Sequence, residues 1–515
     1  MNHKRLFLAV TALLLITVSW WGVITARTGL VVRSLEPEGV PMLYVAPRNA
    51  EKIPGVLVAH GYAGSKQLML GYAYVLAHAG YAVMLWDFSS HGANATPLER
   101  GSLQQNLDVA YAAILEQPEV DSSRLALLGH SMGSGAVMSA GIENVSQRGL
   151  GGFPHVSGAS RRLRLANPEG VNRFAATVAV SPTGAAVTPK TPRNLQLQAG
   201  SWEGRFVTNA QRLLKAAGGE NENLAAGRGR ELVVIPNAEH ITILFRNASH
   251  QAAKNWLDET FGVQRTSYYV DRRMIWYFLH LLAWLALLGA VASMKEDTGK
   301  FSASSKTSLR LFFGLRSWGS LLVAPFVASG VLVLLSRSGD INSLGGLLVG
   351  GAVSIWFGVA GLVWLAVMFR LPRPTLRTVG LGIALFVVLW IAFGAMAQVV
   401  WLQWWLIPAR FKLFPLMSLA CLPWFLASGI AQQDVGVGKR ILWWLGQSVI
   451  LIGGFVLVLY LLPELSFIYL LLPLFPLVIG IFSYTASLFK EPWSYGVGCT
   501  LLFGWMLAAA FPLAN

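Results

Sequence analysis

Three kinds of hydrophobic patterning follow one another along the chain. The first is a single apolar run, Leu6–Ala26, preceded by Lys4 and Arg5. At about 20 residues it is long enough to span ~30 Å of hydrocarbon. The residues before Arg27, Val23-Ile24-Thr25-Ala26, put a bulky side chain where a signal-peptide cleavage site needs a small one. Trp20 and Trp21 stand where interfacial anchors stand. Residues 1–29 are therefore read as an uncleaved transmembrane anchor.

The second pattern, residues 30–270, alternates short apolar runs with longer mixed stretches. The runs Gly55–Ala59, Tyr81–Trp86, Arg124–Leu128, Ala175–Val180, Leu195–Gln198 and Glu231–Ile235 predict strands. Lys66–His78, Leu103–Leu115, Met132–Ile142, Phe206–Ala217 and Asn247–Glu259 predict helices. Strands alternating with helices predict an α/β domain with a mostly parallel sheet covered on both faces. A Gly/Arg-rich stretch, 147–172, with Arg161, Arg162 and Arg164, interrupts the alternation as a loop, a lid or a contact for anionic lipid.

The third pattern fills residues 271–515. Eight apolar stretches, about 274–294, 311–335, 344–369, 378–401, 413–431, 441–461, 466–489 and 494–512, are each long enough to span. They predict a multi-pass, all-α transmembrane bundle. Sixteen of the 19 tryptophans lie outside the middle domain, many near the ends of these stretches, as an interfacial aromatic belt requires.

Composition agrees. The chain has 515 residues, 54% hydrophobic and 13% charged, where a soluble protein carries about 25% charged residues. The net charge of +15 does not lie on the middle domain, which holds 21 Lys/Arg against 18 Asp/Glu; the remaining residues hold 19 against 7. Basic residues beside apolar segments mark cytoplasmic flanks, and no nucleic-acid motif accompanies them. With a cytoplasmic N-terminus, the inside loops 295–310, 370–377, 432–440 and Lys490 hold ten basic residues. The outside positions hold five: Arg272, Arg273, Arg337, Arg410 and Lys412. This predicts a multi-pass protein of the cell membrane with its middle domain extracytoplasmic. The two cysteines, Cys421 and Cys499, both in apolar runs, exclude a disulfide framework and a Cys-rich metal site. No HExxH spacing or P-loop occurs, and no cofactor or metal is implied.

The chemistry is in the middle domain. Gly129-His130-Ser131-Met132-Gly133 fits G-x-S-x-G and directly follows an apolar strand. A serine on a sharp strand-to-helix turn projects its hydroxyl above the sheet, and the tight turn requires glycine at positions such as Gly129 and Gly133. Ser131 is the candidate nucleophile. His60-Gly61-Tyr62 follows the strand Gly55–Ala59, so the backbone N–H groups of Tyr62 and Met132 are the candidate oxyanion donors; His60 itself reads as a turn residue. A serine needs an adjacent base. Of His155, His240, His250 and His280, only His240 sits in a loop just past a strand, at the carboxyl end of the sheet. The orienting acid comes from Glu143, Glu169, Glu203, Glu220, Glu222, Glu231 and Glu239, since no aspartate lies between Ser131 and His240. Glu203 again occupies a strand-end loop and is the candidate.

These four elements resemble the α/β-hydrolase superfamily, over roughly residues 30–262. The resemblance is to its dienelactone-hydrolase-like and serine-aminopeptidase-like branches. Asp87-Phe88-Ser89-Ser90-His91-Gly92 resembles the D-x-R-G-H-G loop of those branches without its arginine, so Asp87 and His91 read as structural. Glu203 stands where most members have aspartate. The serine nucleophile implies cleavage of an ester, thioester or amide in a small-molecule, lipid or peptide substrate. Acyl transfer by the same residues, or a scaffold or transport-associated protein with a degenerate hydrolase domain, are the alternatives. The bundle implies the lipid bilayer as a partner; it carries few charged residues inside its spans.

Overall fold

The computed structural model describes residues 3–142, 173–263, 267–292, 307–366, 371–489 and 491–514. The stretch 147–172, with His155 and Glu169, lies outside the described residues, as do Glu143 and most of the basic loop 295–310. Contacts divide the chain into two units. One comprises Trp21–Tyr277 with Gln398–Gln403; the other comprises Met1–Trp20, Phe278–Ala397 and Trp404–Asn515.

The first unit is an α/β domain built on an eight-stranded sheet in the order β1-β2-β4-β3-β5-β6-β7-β8. β3 (Ile53–Ala59), β4 (Ala82–Trp86), β5 (Val120–His130), β6 (Ala176–Val180), β7 (Leu195–Gly200) and β8 (Arg230–Ile235) run parallel. β3, β4 and β6 are near-continuous apolar runs because both of their faces are buried, whereas β8 is an edge strand and only partly buried. Along β3, Val56 and Val58 enter one hydrophobic cluster and Leu57 and Ala59 the other. After the N-terminal helix α1 (His3–Ile24), α2 (Leu70–His78) and α6 (Asn247–Phe261) contribute to the first cluster. α3 (Ser102–Leu115) and α4 (Met132–Ile142) contribute to the second. α5 (Gly204–Ala216) covers β7 through Leu213 and Ala210. The remaining two strands, β1 (Leu30–Leu35) and β2 (Met42–Pro47), form an antiparallel pair that the sequence pattern does not announce. β2 in turn pairs antiparallel with β4. β1 is an edge strand and only partly buried; its Arg33 reaches Glu119 at 2.7 Å.

The path from β3 turns outward to β4, whereas β5 lies on the other side of β3. The carboxyl ends of β3 and β5 therefore flank a topological switch point, where open α/β sheets hold their ligands. Gln398–Gln403, distant in sequence, belongs to this same unit. The Gln67 amide donates to Gln403 Oε1 at 2.5 Å, and Arg273 donates to the Val399 carbonyl at 3.2 Å.

Seven described helices are long and apolar enough to cross a membrane. They are His3–Arg27, Arg273–Val291, Arg316–Ser336, Leu376–Val400, Pro408–Ala431, Val437–Leu461 and Pro492–Ala510. Two expected stretches differ. Residues 466–489 form a pair of helices bent by 53°, Pro463–Leu471 and Leu474–Leu488. Pro473 stands at the break, where its missing N–H and its ring interrupt the hydrogen-bond ladder. Within 344–369 the helix is Gly350–Ala366, 17 residues, because Ile341–Gly346 is an irregular turn with Leu344 and Gly345 out of helical geometry. Three tryptophans of these helices, Trp356, Trp364 and Trp424, are fully buried. Close helix approach at glycines makes room for them, as where Gly361 meets the Trp424 backbone.

Candidate active site

β5 ends in a turn that forces Ser131 to φ +52°, in the left-handed region, and α4 begins at the next residue. A serine pays for that conformation, and the surrounding backbone holds it there. Ser131 N–H donates to the Val180 carbonyl at 2.9 Å, and the Ser131 carbonyl accepts from Ser134 N–H at 2.8 Å. The two glycines of the motif are explained by close approach. A Cβ on Gly133 would lie 2.5 Å from the His60 carbonyl oxygen and 2.7 Å from that of Ala59. A Cβ on Gly129 would collide with the Gly133 carbonyl. The turn is thus as narrow as the spacing of the motif implies.

His240 follows β8 and meets Ser131 across the switch point: Nε2 lies 3.0 Å from Ser131 Oγ. Glu203 stands immediately before α5, after β7, and places Oε1 3.5 Å from His240 Nδ1. Both His240 and Glu203 are buried, whereas Ser131 is half-buried. Ser131 Oγ and the Glu203 carboxylate thus approach the two different nitrogens of the His240 ring, the first at hydrogen-bond distance and the second at 3.5 Å. Among the described residues, two of the other candidate acids have partners of their own. Glu239 accepts from the N–H groups of Ile241 and Thr242 at 3.1 and 2.7 Å, and Glu231 accepts from Gln196 at 2.7 Å. Glu220 and Glu222 are exposed. His250 lies in α6 and donates Nε2–H to the Leu244 carbonyl at 2.8 Å. His280 lies within the helix Arg273–Ala292.

The backbone proposed for the oxyanion comes from turns on adjacent strands, since Ala59 and Gly129 are register partners. A Cβ on Gly61 would stand 3.1 Å from Ser131 Cβ, so the chain entering Tyr62 passes beside Ser131. Met132 opens α4, where a helix N-terminus directs N–H groups and positive dipole outward. Burial raises the Tyr62 phenol to about 12.

His60 is structural. Its Nδ1–H donates to the Gly61 carbonyl at 2.7 Å, and its Nε2 accepts from Phe88 N–H at 3.0 Å. Burial pushes its pKa down, against the pull of Asp87. Asp87 is fully buried, accepts from Lys66 and Ala93 N–H groups at 2.7 and 2.8 Å, and forms an ion pair with Lys66 Nζ. Burial alone would raise its pKa, but Lys66 and His60 hold it below the usual carboxylate range.

Sequence reasoning passed over three contributors. His130, read only as the variable position of the motif, donates Nε2–H to the His240 carbonyl at 2.9 Å. Burial, then the neighbouring His240, press its pKa well below the ordinary imidazole value, so it stays neutral. Phe206 stacks on the His240 ring with centroids 4.4 Å apart. Ser181, at the end of β6, hydrogen-bonds the Glu203 carboxylate. The histidine in G-H-S was the one available signal; the other two roles arise from loops that only the fold brings together. Among the described residues, no group of three or more His, Cys, Asp or Glu is placed to hold a metal ion.

The family model described as serine aminopeptidase, S33 matches residues 51–151, which contain the turn after β3 and the motif around Ser131. An uncharacterized protein of Mycobacterium tuberculosis (strain H37Rv) is 31% identical over 91 residues, 18% of this chain and 32% of its own. An uncharacterized 31.7 kDa Escherichia coli protein from the traX-finO intergenic region is 27% identical over 113 residues, 21% of this chain and 39% of its own. The matches thus span about a third of those relatives' lengths. Similar solved structures include a dienelactone hydrolase from Anabaena variabilis (18% identity, TM-score 0.30, 44% of this chain and 95% of that one). The esterase Est22 is another (16% identity, TM-score 0.33, 46% and 82%). The strand order of the sheet, rather than these scores, defines the fold.

Proposed function

Because the mixed α/β unit belongs to the α/β-hydrolase superfamily, we propose that the chain is a membrane-embedded serine hydrolase that cleaves an ester, thioester or amide. Ser131 Oγ attacks the acyl carbon while His240 Nε2 takes its proton. Glu203 orients the imidazole and stabilises its charged form. The N–H groups of Tyr62 and Met132 receive the developing oxyanion. His240 then protonates the leaving group, and a water deprotonated by His240 cleaves the acyl-enzyme, returning Ser131 to its hydroxyl form. The observation that carries this reading is the 3.0 Å approach of His240 Nε2 to a hydroxyl held at φ +52°. The seven apolar helices support residence in a membrane. The excess of basic residues in the loops assigned to the inside supports an extracytoplasmic active site.

Labelling with a membrane-impermeant fluorophosphonate tests both parts on one gel. Intact cells should label, and Ser131→Ala should abolish the signal. Labelling only after lysis would keep the enzyme and reverse the orientation. No labelling of folded protein in either preparation would refute the hydrolase reading.

A further inference from the structure

Glutamate carries one more rotatable bond than aspartate, so a glutamate that orients a histidine must be held by something else. Three contacts bear on the Glu203 carboxylate. Oε1 faces His240 Nδ1 at 3.5 Å, and Oε2 accepts a long bond from Gly200 N–H at 3.4 Å. The closest partner is Ser181, whose Oγ lies 2.9 Å from Oε1 and 2.8 Å from Oε2. A carboxylate only accepts, so the Ser181 hydroxyl donates and is shared between the two oxygens.

The sheet places this hydroxyl deliberately. β6 and β7 are neighbours with Val180 opposite Gln198, so the residues just beyond each strand share one edge. Ser181 N–H donates to the Gln198 carbonyl at 2.7 Å, and its φ of +46° turns the chain out of the strand. The residue is fully buried. A left-handed φ at a buried non-glycine residue is costly and is retained where the side chain is needed.

We propose that Ser181 is a positioning residue for the reaction: its hydroxyl fixes the Glu203 carboxylate so that Oε1 faces His240 Nδ1. The line of side chains then runs Ser131, His240, Glu203, Ser181. The Ser181 hydroxyl keeps its proton throughout. This rests on the reading of Ser131 as the nucleophile.

A serine that merely satisfies its own buried hydroxyl would matter equally with or without Glu203. One that works through Glu203 would not, and a double-mutant cycle separates the two. The assay is the rate at which a fluorophosphonate labels the purified full-length protein, measured against probe concentration. The variants are Ser181→Ala, Glu203→Ala, the double variant and Ser131→Ala. Ser181→Ala should lower the maximal labelling rate about tenfold and leave the half-saturating probe concentration within about twofold. In the Glu203→Ala background it should change the rate no further. Ser181→Gly, which relaxes the left-handed backbone, should lose as much as Ser181→Ala; melting curves confirm that both variants are folded. A Ser181→Ala rate within twofold of wild type, or an equal loss in both backgrounds, overturns the proposal while leaving the nucleophile intact. Wild type that does not label at Ser131 overturns the nucleophile and this proposal with it.

Discussion

His130 gives the sharpest quantitative handle on the site. Its Nε2–H donates to the His240 carbonyl at 2.9 Å, and the two rings lie 4.7 Å apart. His130→Leu keeps an apolar side chain of comparable bulk and removes the donor, so the buried His240 carbonyl loses this partner. That costs about 1–3 kcal/mol of stability. The kinetic effect works through distance: His240 reaches Ser131 Oγ at 3.0 Å from a loop that His130 ties down. Misplacement by about 1 Å costs on the order of a hundredfold in rate, so a partly released loop should lose about ten- to hundredfold. The pH dependence follows from the depressed pKa of His130. The unfolded chain binds a proton near pH 6.5 that the native state refuses, so this residue removes stability as pH falls below about 6.5. The slope is at most about 1.4 kcal/mol per pH unit per histidine. His130→Leu should therefore flatten the loss of stability between pH 7 and pH 5, measured by melting in detergent, while slowing fluorophosphonate labelling. A folded variant that labels within twofold of wild type, with the same pH slope, would refute the clamp.

Two other perturbations read the architecture. Gly133→Ala would drive a Cβ against the His60 and Ala59 carbonyl oxygens at 2.5 and 2.7 Å. Backbone cannot yield cheaply there, so it should lose about 1–3 kcal/mol, or several degrees of melting temperature, together with labelling; an unchanged melt would contradict the tight turn. Lys66→Met leaves the Asp87 carboxylate buried without its cation and should cost about 3–5 kcal/mol. Adding Asp87→Asn should recover part of it, and a single variant as stable as wild type would show the pair to be dispensable. The sign of the wild-type effect is fixed by the lowered Asp87 pKa: its contribution is present above about pH 4 and is lost as pH falls through the depressed value.

Much of this was legible in the sequence because both periodicity and motif act locally. Parallel strands buried on two faces read as short apolar runs, and the turn around Ser131 writes its steric demands as glycines at fixed spacing. That His240 and Glu203 come close to Ser131 and to each other was legible because both lie in loops at the carboxyl ends of strands. β1 and β2 were not: Arg33 and Ser34 interrupt the apolar run of an edge strand, and a hairpin at the margin of a sheet has no helix to frame it. Ser181 and His130 could not be assigned for another reason. A lone serine after a strand has no signature, and its partner is 22 residues away across a strand pair. His130 reaches a carbonyl 110 residues further on. The burial of Trp356, Trp364 and Trp424 was not legible either, because position along an apolar run says nothing of which face a side chain occupies.

In the proposed reaction everything depends on Ser131 being a nucleophile activated by His240. The most direct test is to locate the covalent adduct of a fluorophosphonate on the purified full-length protein by peptide mass spectrometry, in wild type and in His240→Ala. A single adduct on the peptide containing Ser131 is expected, lost or slowed by several orders of magnitude in the variant. An adduct on another residue, or a Ser131 adduct forming equally fast without His240, would contradict it.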